Sequence, residues 1–462
     1  MYGVGADATP IHLYARRRWP DILRRLSAVR VSFVPIVLLA DQVLTLDAAA
    51  TIHTPGAVTV EGAEILSVGP PPAHPAGEIV DLRGSVLLPG LVNVHTHTPM
   101  WVFRGLTEDV PRGEWLTGRL LPLERRLGPD DLQHGSMAGC LELLLNGVTT
   151  IADRYGHMEA VATAVEASGL RAVVGHSLFD RTAEADLAAS ERLIERFGTD
   201  PARSRVWAGL APHATDTCGP DVLLRVRTLG DRAGARVFIH VAQSEEEVAT
   251  VVARGAAGCA SYLDALGLLA PDVVAAHATY LSDAEADLLG SRGTAVAHCP
   301  SSNAKLEGRV APIARMRRAG AIVGLGTDAA CCNNGMDMFE EMKVAALLNK
   351  VAADDPAAFP ALDVLRMATS EAARVLGIDH LVGTLEPGKR ADIIAVRTRS
   401  PRLQPWLDPV ANLVYAARGS DVTTVFIEGR QLVRKGRPVF LDPERILAHA
   451  AEAVGKLTDV RR

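Results

Sequence analysis

The stretch SVLLPGLVNVHTH, residues 85–97, is an apolar run that ends on two histidines. Similar short apolar runs recur downstream and alternate with amphipathic stretches rich in Ala, Leu and Glu. Strand followed by helix, repeated, is the pattern of a parallel sheet with helical crossovers. The predicted strands are SVLLPGLVNVHTH, GVTTIADR, RAVVGHSL, SRVWAGLAPH, ARVFIHVAQ, DVVAAHAT, TAVAHCPSS and AIVGLGTDA. Eight such units close a barrel, so we predict an α/β fold built on a (β/α)8 TIM-like barrel.

The segments on either side of these repeats have β character without the helical stretches. Residues 35–87 contain turn sequences such as TPG and GPPPAHPAGE, and residues 391–445 contain ADIIAVRTR and VTTVFIEGRQLV. We predict that these two segments form one small β-sandwich from both chain ends. Residues 88–390 are then the metal-dependent barrel, and residues 446–462 are a C-terminal helix.

Residues 1–34 precede the first predicted strand and carry six arginines before the apolar run VSFVPIVLLA. This order superficially resembles a signal peptide. The run has only ten residues, too few to span a bilayer, and it continues into DQVLTLD, which alternates like a strand. We therefore expect residues 1–34 to be a disordered arm that the chemistry does not need, or a misassigned start.

The bulk composition excludes some classes of function. The 462 residues are 48% hydrophobic, which is ample for a large core, and a net charge of −6 provides no basic field for nucleic acid. Six cysteines show no CxxC pair, which favours a reduced, cytoplasmic compartment. We expect no nucleic-acid partner and no membrane partner. We also expect a homo-oligomer, either a dimer or a tetramer.

Each predicted barrel strand ends on a polar or ionisable residue, and the ends of parallel barrel strands meet at one face. These residues are His95 with His97, Asp153, His176, His213, His240, His277, His298 and Asp328. A single histidine in such a place is more often a satisfied structural residue than a ligand. Histidines at the ends of five successive strands are hard to reach by chance, so the set predicts a functional site.

The spacing of these residues suits a metal. His95 and His97 are two residues apart on a strand, so both imidazoles leave the same face. His240 and Asp328 can complete a set of three histidines and one carboxylate, with a position left for water. A metal lowers the pKa of that water to about 7. His277 is placed to hydrogen-bond the water and Asp328 to take its proton.

One divalent transition metal per chain is expected, because no lysine ends a barrel strand to bridge a second ion. Zn²⁺ is the metal we predict. Fe²⁺, manganese or nickel are alternatives, since imidazole and carboxylate ligands do not discriminate sharply among them.

Several stretches resemble the amidohydrolase superfamily, namely GLVNVHTHTPM, HATY, HCPSSNAKL, GLGTDAA and EPGKRADI. Within it, RGLTEDV, EWLTGRLLPLE, GVTTIADRY, APH and NNGMDMFEEMK are similar to the branch of S-adenosylhomocysteine/5′-methylthioadenosine deaminases, which also holds the triazine hydrolases. The resemblance runs from about residue 37 to residue 445. It implies a metal-dependent hydrolase that deaminates an amino-substituted N-heterocycle, such as a purine or an adenosine-like nucleoside, by attack of a zinc-activated water.

The resemblance also implies roles for individual residues. Those that match the zinc ligands of the branch are His95, His97, His240 and Asp328. His277 matches the histidine beside the metal water, and His213, in APH, matches a histidine that contacts substrate. Glu114, in EWL, matches the carboxylate that grips the sugar in nucleoside-binding members, with a solvated loop acid as the alternative. Separately, Trp101 follows the HTH strand and either walls a flat substrate or packs in the core.

Two positions depart from the pattern of the branch. The branch places a glutamate three residues after the strand-five histidine, where this chain has Gln243. That glutamate passes a proton to the ring, which is general acid–base work worth roughly 10²–10⁴-fold. A carboxamide can only donate and accept hydrogen bonds, so Gln243 is expected to orient the substrate in the catalytic site. His176 stands where nucleoside deaminases can carry an arginine, which makes a tail that ends in a carboxylate a poorer substrate.

Residues 245–247, three glutamates, are interpreted as the acidic first turn of the next helix rather than as replacement acids. Water shuttled between Asp328 and His277 is the preferred replacement. Two alternatives to the deaminase stay open. One is hydrolysis of a different C–N bond or a C–Cl bond on an N-heterocycle. The other is a metal-containing binding protein that lost turnover with the glutamate.

Overall fold

Eight parallel strands follow one another around a barrel in the computed structural model, which describes residue 26 and residues 34–458. The strands are Leu91–Thr96, Val148–Tyr155, Arg171–Leu178, Val206–Pro212, Val237–Val241, Val273–His277, Ala295–His298 and Val323–Leu325. Each strand pairs with the next, and an isolated parallel bridge between Thr96 and Asp328 joins the first to the eighth. The predicted (β/α)8 barrel is confirmed.

These strands form where the sequence is short, apolar and rich in valine, alanine and isoleucine. Every residue of Val148–Tyr155 is buried, as is every residue of Val237–Val241. A parallel sheet covered on both faces has this near-continuous apolar composition, because neither face meets water. The polar residues are therefore concentrated at the strand ends, where the barrel opens.

Helices connect the strands and cover the outside of the barrel. The longer ones are Pro129–Leu145, Met158–Ser168, Ala183–Phe197, Pro220–Ala233, Glu245–Ala253, Asp283–Ser291, Pro300–Glu307, Met338–Ala353 and Pro443–Thr458. The shorter ones are Leu121–Glu124, Cys259–Ala265, Ile313–Arg318, Ala330–Asn333, Ala361–Met367, Ser370–Leu376 and Pro409–Tyr415. Helical turns of other types lie at Thr98–Phe103, Glu114–Leu120, Asp180–Thr182 and Gly419–Asp421.

Two further sheets pack together beside the barrel. One, in spatial order, consists of Glu64–Gly69, Gly56–Glu61, Ile36–Ala40 and Glu78–Asp81. The other consists of Arg437–Pro438, Arg430–Arg434, Val422–Ile427, Ile393–Arg397, Ser85–Pro89, Gln42–Leu44 and Ile52–His53. Buried residues of both sheets, including Leu38, Val58 and Phe426, share one core cluster. The second sheet joins strands from both chain ends, which confirms the predicted composite sandwich.

A buried ion network fixes the sandwich to the barrel. Arg171 begins the third barrel strand, and its guanidinium lies 3.1 Å and 3.3 Å from the carboxylate oxygens of Asp392. The same guanidinium contacts Glu428 at 3.1 Å. Arg171 and Asp392 have side chains that are 1% exposed, so removing Arg171 would leave the carboxylate of Asp392 buried without its cation, at a cost of about 3–5 kcal/mol.

The two chain ends differ from the sequence-based picture in detail. The final helix begins at Pro443, before the predicted residue 446, and its described part ends at Thr458. Most of the predicted arm lies outside the described residues. Leu26, however, is only 4% exposed and packs in the main core, and the apolar run VSFVPIVLLA ends as the strand Ile36–Ala40. Within residues 34–458, no helix is long and apolar enough to cross a bilayer.

Candidate active site

The carboxyl ends of the barrel strands bring His95, His97 and His240 together. The Nε2 atoms of His95 and His240 are 3.3 Å apart. All three side chains are buried, and one ring nitrogen of each lies within 4.8 Å of the other two. Ligand atoms 2.0–2.1 Å from a tetrahedral zinc are about 3.3 Å from one another. The spacing of these nitrogens therefore fits a single metal ion.

Asp328, at the end of strand eight, presents a carboxylate to the same point. Its Oδ1 atom lies 3.3 Å from His97 Nε2 and 3.7 Å from His95 Nε2, and its Oδ2 atom accepts a 2.6 Å hydrogen bond from Ser302. Burial opposes ionisation, but the contacts with His97, His277 and His95 lower the pKa of Asp328 below its ordinary value. Asp328 can thus supply an anionic oxygen ligand.

The histidines are held in the form that binds a metal. Burial lowers the pKa of His95 and of His240 well below the usual range, so both rings are neutral at pH 7. His97 Nδ1 lies 2.7 Å from the backbone oxygen of Arg154, which can only accept. That contact places the hydrogen of His97 on Nδ1 and leaves Nε2 as a ligand atom, an orientation typical of metal-binding histidines.

His277 lies beside this set with one nitrogen unused. Its Nδ1 atom is 2.9 Å from Asn303 Oδ1, and its buried Nε2 atom is 4.0 Å from Asp328 Oδ2. Nε2 has no hydrogen-bond partner among the described residues. Burial lowers the pKa of His277, so Nε2 is a free base that can accept a proton. His277 also forms a second potential ligand group with His95 and Asp328.

The backbone is strained where the strands enter the site. Four residues other than glycine have a left-handed φ there: Ala242 at 48°, His277 at 71°, Ala278 at 51° and Asp328 at 57°. Each such conformation costs on the order of 1–3 kcal/mol, and strain of this kind concentrates at functional sites. The turns redirect the chain just where strands five, six and eight deliver their polar side chains.

Gln243 is anchored at both its backbone and its side chain. Its N–H donates to Glu247 Oε2 at 2.7 Å, and its Oε1 atom accepts a 3.2 Å hydrogen bond from Arg112 Nη2. Glu247 lies in the first turn of Glu245–Ala253, as predicted, and its side chain is buried. Burial raises the pKa of Glu247 to about 7. The carboxylate of Glu247 holds the strand-five loop by accepting hydrogen bonds from the backbone N–H groups of Ala242 and Gln243.

His213 is the predicted substrate residue that the fold brings into the cluster. Its ring centroid lies 5.1 Å from that of His240 in an edge-on arrangement, and Phe179 stacks on its other side at 4.5 Å. Nδ1 of His213 is 2.8 Å from the Thr217 hydroxyl, which fixes the plane of the ring. Burial lowers the pKa of His213 well below its usual value.

The other predicted substrate residues, Glu114, Trp101 and His176, make their polar contacts away from the histidine cluster. Glu114 is exposed on a helical turn, and the indole N–H of Trp101 points to the helix behind it. Glu114 pairs with Arg119 at 3.0 Å, and Trp101 donates to Glu142 at 2.8 Å. The third residue, His176, contacts Asp186 at 3.2 Å. Substrate contact by these three residues stays a prediction.

Three charged residues near the site were not found from the sequence. Arg154 follows Asp153 at the end of strand two and is 3% exposed, and burial lowers its pKa to about 10. Its charge also lowers the pKa of His240. Arg112 and Glu307 form an ion pair at 2.9 Å next to Gln243. Arg154 could have been noticed as a cation directly after the strand-end residue Asp153, whereas Arg112 follows no periodic pattern.

Comparison with known proteins agrees with this geometry. The model of the amidohydrolase family matches residues 86–432, and the chain belongs to that family. A 5-methylthioadenosine/S-adenosylhomocysteine deaminase of Pelotomaculum thermopropionicum is 40% identical over 429 residues, covering 92% of this chain and 99% of that protein. A 5′-deoxyadenosine deaminase of Methanothermobacter thermautotrophicus is 42% identical over 387 residues, covering 83% and 90%. The predicted family and branch are confirmed.

Solved structures support the same assignment. An adenosine deaminase from Xanthomonas campestris, crystallised with bound zinc, superposes with a TM-score of 0.87 and 32% identity, covering 92% of this chain and 99% of that one. The zinc complex of an atrazine chlorohydrolase from Arthrobacter aurescens TC1 gives a TM-score of 0.85 at 24% identity, covering 91% and 100%. At that identity the second likeness concerns the fold alone.

Replacing His95 and His97 together by alanine should abolish metal binding while the barrel still folds, because the pair supplies two of the four converging ligand atoms. Elemental analysis of the purified double variant should find less than a tenth of the wild-type metal, on the order expected when two ligands are lost. The matched control is His74→Ala/His380→Ala, which removes two exposed histidines and should keep full metal content. Stoichiometric zinc in the His95/His97 variant would show that the metal lies elsewhere.

Proposed function

We propose that this chain is a metal-dependent deaminase of adenosine-like nucleosides. It hydrolyses the bond between an exocyclic amino group and the purine ring. The observation that carries the proposal is the convergence of His95, His97, His240 and Asp328 at the carboxyl end of the barrel. Relatives named as deaminases of 5′-deoxyadenosine, methylthioadenosine and S-adenosylhomocysteine, each matched along most of its length, support it.

The metal would be held by the three Nε2 atoms and by Oδ1 of Asp328. When bound, a divalent transition metal supplies a water whose pKa falls to about 7, so that a nucleophile is available at neutral pH. Asp328 Oδ2 and His277 Nε2, 4.0 Å apart, face one another as acceptors for the proton that this water loses. Asn303 holds the hydrogen of His277 on Nδ1 and so keeps Nε2 in the accepting form.

The reaction balances as follows. The oxygen of water bonds to the ring carbon, the C–N bond breaks, and the amine leaves as ammonia. One hydrogen of the water ends on the leaving nitrogen and the other on the adjacent ring nitrogen. Asp328 and His277 can carry the first of these protons. Gln243 can hydrogen-bond the ring nitrogen but cannot protonate it.

Three finer points belong to the same proposal. Zinc is the metal we favour, because the set of three histidines and one carboxylate matches its preferred ligands. A homo-oligomer is proposed because Leu347 and Val351, one turn apart on a surface helix, are 46% and 78% exposed. A cytoplasmic compartment is proposed because all six cysteines are buried and unpaired.

The zinc-loaded enzyme should release ammonia from adenosine and 5′-deoxyadenosine. S-adenosylhomocysteine should be a poorer substrate. Its carboxylate lacks an arginine partner, because this chain has His176 at the position where nucleoside deaminases can carry an arginine. Ultraviolet absorbance together with an ammonia assay measures this in a panel that also contains chloro- and alkylamino-triazines. Release of chloride or alkylamine without any purine turnover would support the alternative hydrolase. Ligand-induced shifts of the melting temperature without any product would support a binding protein.

Replacing Gln243 by glutamate should raise kcat for generic aminopurines, by at most the roughly 10²–10⁴-fold that a general acid contributes. The new carboxylate would lie against Arg112, which favours its ionised form, so it would take a proton from water and pass it to the ring nitrogen. For a natural substrate that binds through the carboxamide, the same change should raise KM, because a donor is lost and a charge is added. Steady-state kinetics of both forms measure this. Identical kinetics on every substrate would place residue 243 outside the site.

A further inference from the structure

Arg112 reaches the end of strand five from a distant part of the chain. It lies just before the helical turn Glu114–Leu120, and its Nη2 atom donates to Gln243 Oε1 at 3.2 Å. Its side chain is 20% exposed, so the contact is largely shielded from solvent. The residue that replaces the usual glutamate therefore has a cation as its side-chain partner.

This contact identifies which atom of the carboxamide is left free. A guanidinium has donors and no acceptor, so the atom of Gln243 that meets Arg112 must be the oxygen. The N–H of residue 243 is already held by Glu247 at 2.7 Å. Within the described part of the chain, no protein acceptor takes the Nε2 hydrogens of Gln243. The carboxamide is thus presented as a pure hydrogen-bond donor.

Arg112 is itself held in place. Its Nε atom lies 2.9 Å from Oε1 of Glu307, whose side chain is 6% exposed, and Tyr280 donates to the other carboxylate oxygen at 3.0 Å. Arg112 therefore places a fixed cation directly against the carboxamide of Gln243, at 3.2 Å from its Oε1 atom. A fixed cation within reach of the reacting ring can stabilise negative charge that develops there.

We propose that Arg112 is a positioning residue of the deamination, which makes this inference rest on the proposed function. It orients the Gln243 carboxamide so that Nε2 donates to the ring nitrogen beside the amino-bearing carbon. Its charge offsets the negative charge that appears on this nitrogen as water adds. Hydrogen bonding and charge thus stabilise the ring nitrogen during the addition step, and this nitrogen takes its proton from solvent water once ammonia has left. The Gln243 donor selects a heterocycle that has a lone pair on that nitrogen, as adenine does. It disfavours a heterocycle that carries a hydrogen on the same nitrogen.

The expected effect is largest on kcat. Removing a donor aimed at developing charge costs about 10²–10³ in kcat. Because Arg112 acts through Gln243, we expect Arg112→Met to lower kcat by roughly 10–10²-fold and to change KM by less than about threefold. Arg112→Lys keeps the charge and should recover part of the loss. Gln243→Leu should lower kcat similarly, and adding Arg112→Met to it should cost little more.

Arg309→Met is the matched control. Arg309 is a neighbouring cation that lies over the ring of Tyr280 at 4.5 Å and pairs with exposed Glu245 rather than with Gln243. Its replacement should leave kcat within about twofold, as is usual for an exposed ion pair. Metal content and unfolding midpoint, measured for every variant, verify that each is folded and loaded.

The test is steady-state deamination of 5′-deoxyadenosine by these variants, with equilibrium binding of the nucleoside and of its analogue that has CH in place of the ring nitrogen. Arg112→Met should weaken binding of the nucleoside by no more than about threefold, in line with the small change in KM, and should leave binding of the analogue unchanged. Losses in kcat that multiply in the double variant, or equal weakening of both ligands, would overturn the role of Arg112.

If the wild type binds the nucleosides but releases no ammonia, the proposed function fails, and binding still tests the contact between Arg112, Gln243 and the ring nitrogen. If it binds neither nucleoside nor analogue, both proposals fall.

Discussion

Four ligand-type side chains are buried together at the mouth of the barrel, and the rest of the site is arranged around them. Buried polar groups are expensive unless they are paired, and an isolated buried charge is more expensive still. His95, His97, His240 and Asp328 meet this constraint by lying together. Nε2 of His95 is 3.3 Å from Nε2 of His240, and Oδ1 of Asp328 is 3.3 Å from His97 Nε2 and 3.7 Å from His95 Nε2. A bound metal would interact with all four side chains in place of the water that they lose on burial. The strained strand ends, the Ser302 contact and the neutral imidazoles are best understood as devices that hold this cluster.

The barrel and the ligand set could be predicted because both depend on local pattern. An apolar run followed by a polar residue identifies a strand end, and parallel strand ends must converge, so His95 and Asp328 could be placed together although they are 233 positions apart in the sequence. The left-handed backbone at Asp328, by contrast, has no signature in a sequence without glycine at that position. The burial of Glu247 has no signature either, since an exposed glutamate in the first turn of a helix has the same sequence pattern.

Side chains on loops were the least predictable part of the site. Glu114 and Trp101 were assigned to the substrate by resemblance and by proximity in sequence, yet their polar partners are Arg119 and Glu142. Arg112, only two residues before Glu114, reaches Gln243 because the loop between two helical turns folds over the strand-five end. Loop paths depend on contacts distant in sequence rather than on periodicity, so neither outcome was accessible beforehand.

The central claim is that one metal ion is held by three imidazoles and the carboxylate of Asp328, with His277 left free as a base. Anomalous diffraction at the zinc edge from crystals of the zinc-loaded protein tests it most directly. We expect one peak per chain, about 2.0–2.2 Å from Nε2 of the three histidines and from Oδ1 of Asp328, with His277 beyond ligand distance. A peak coordinated by His277 in place of one of these ligands, or no peak between the strand ends, would contradict the account.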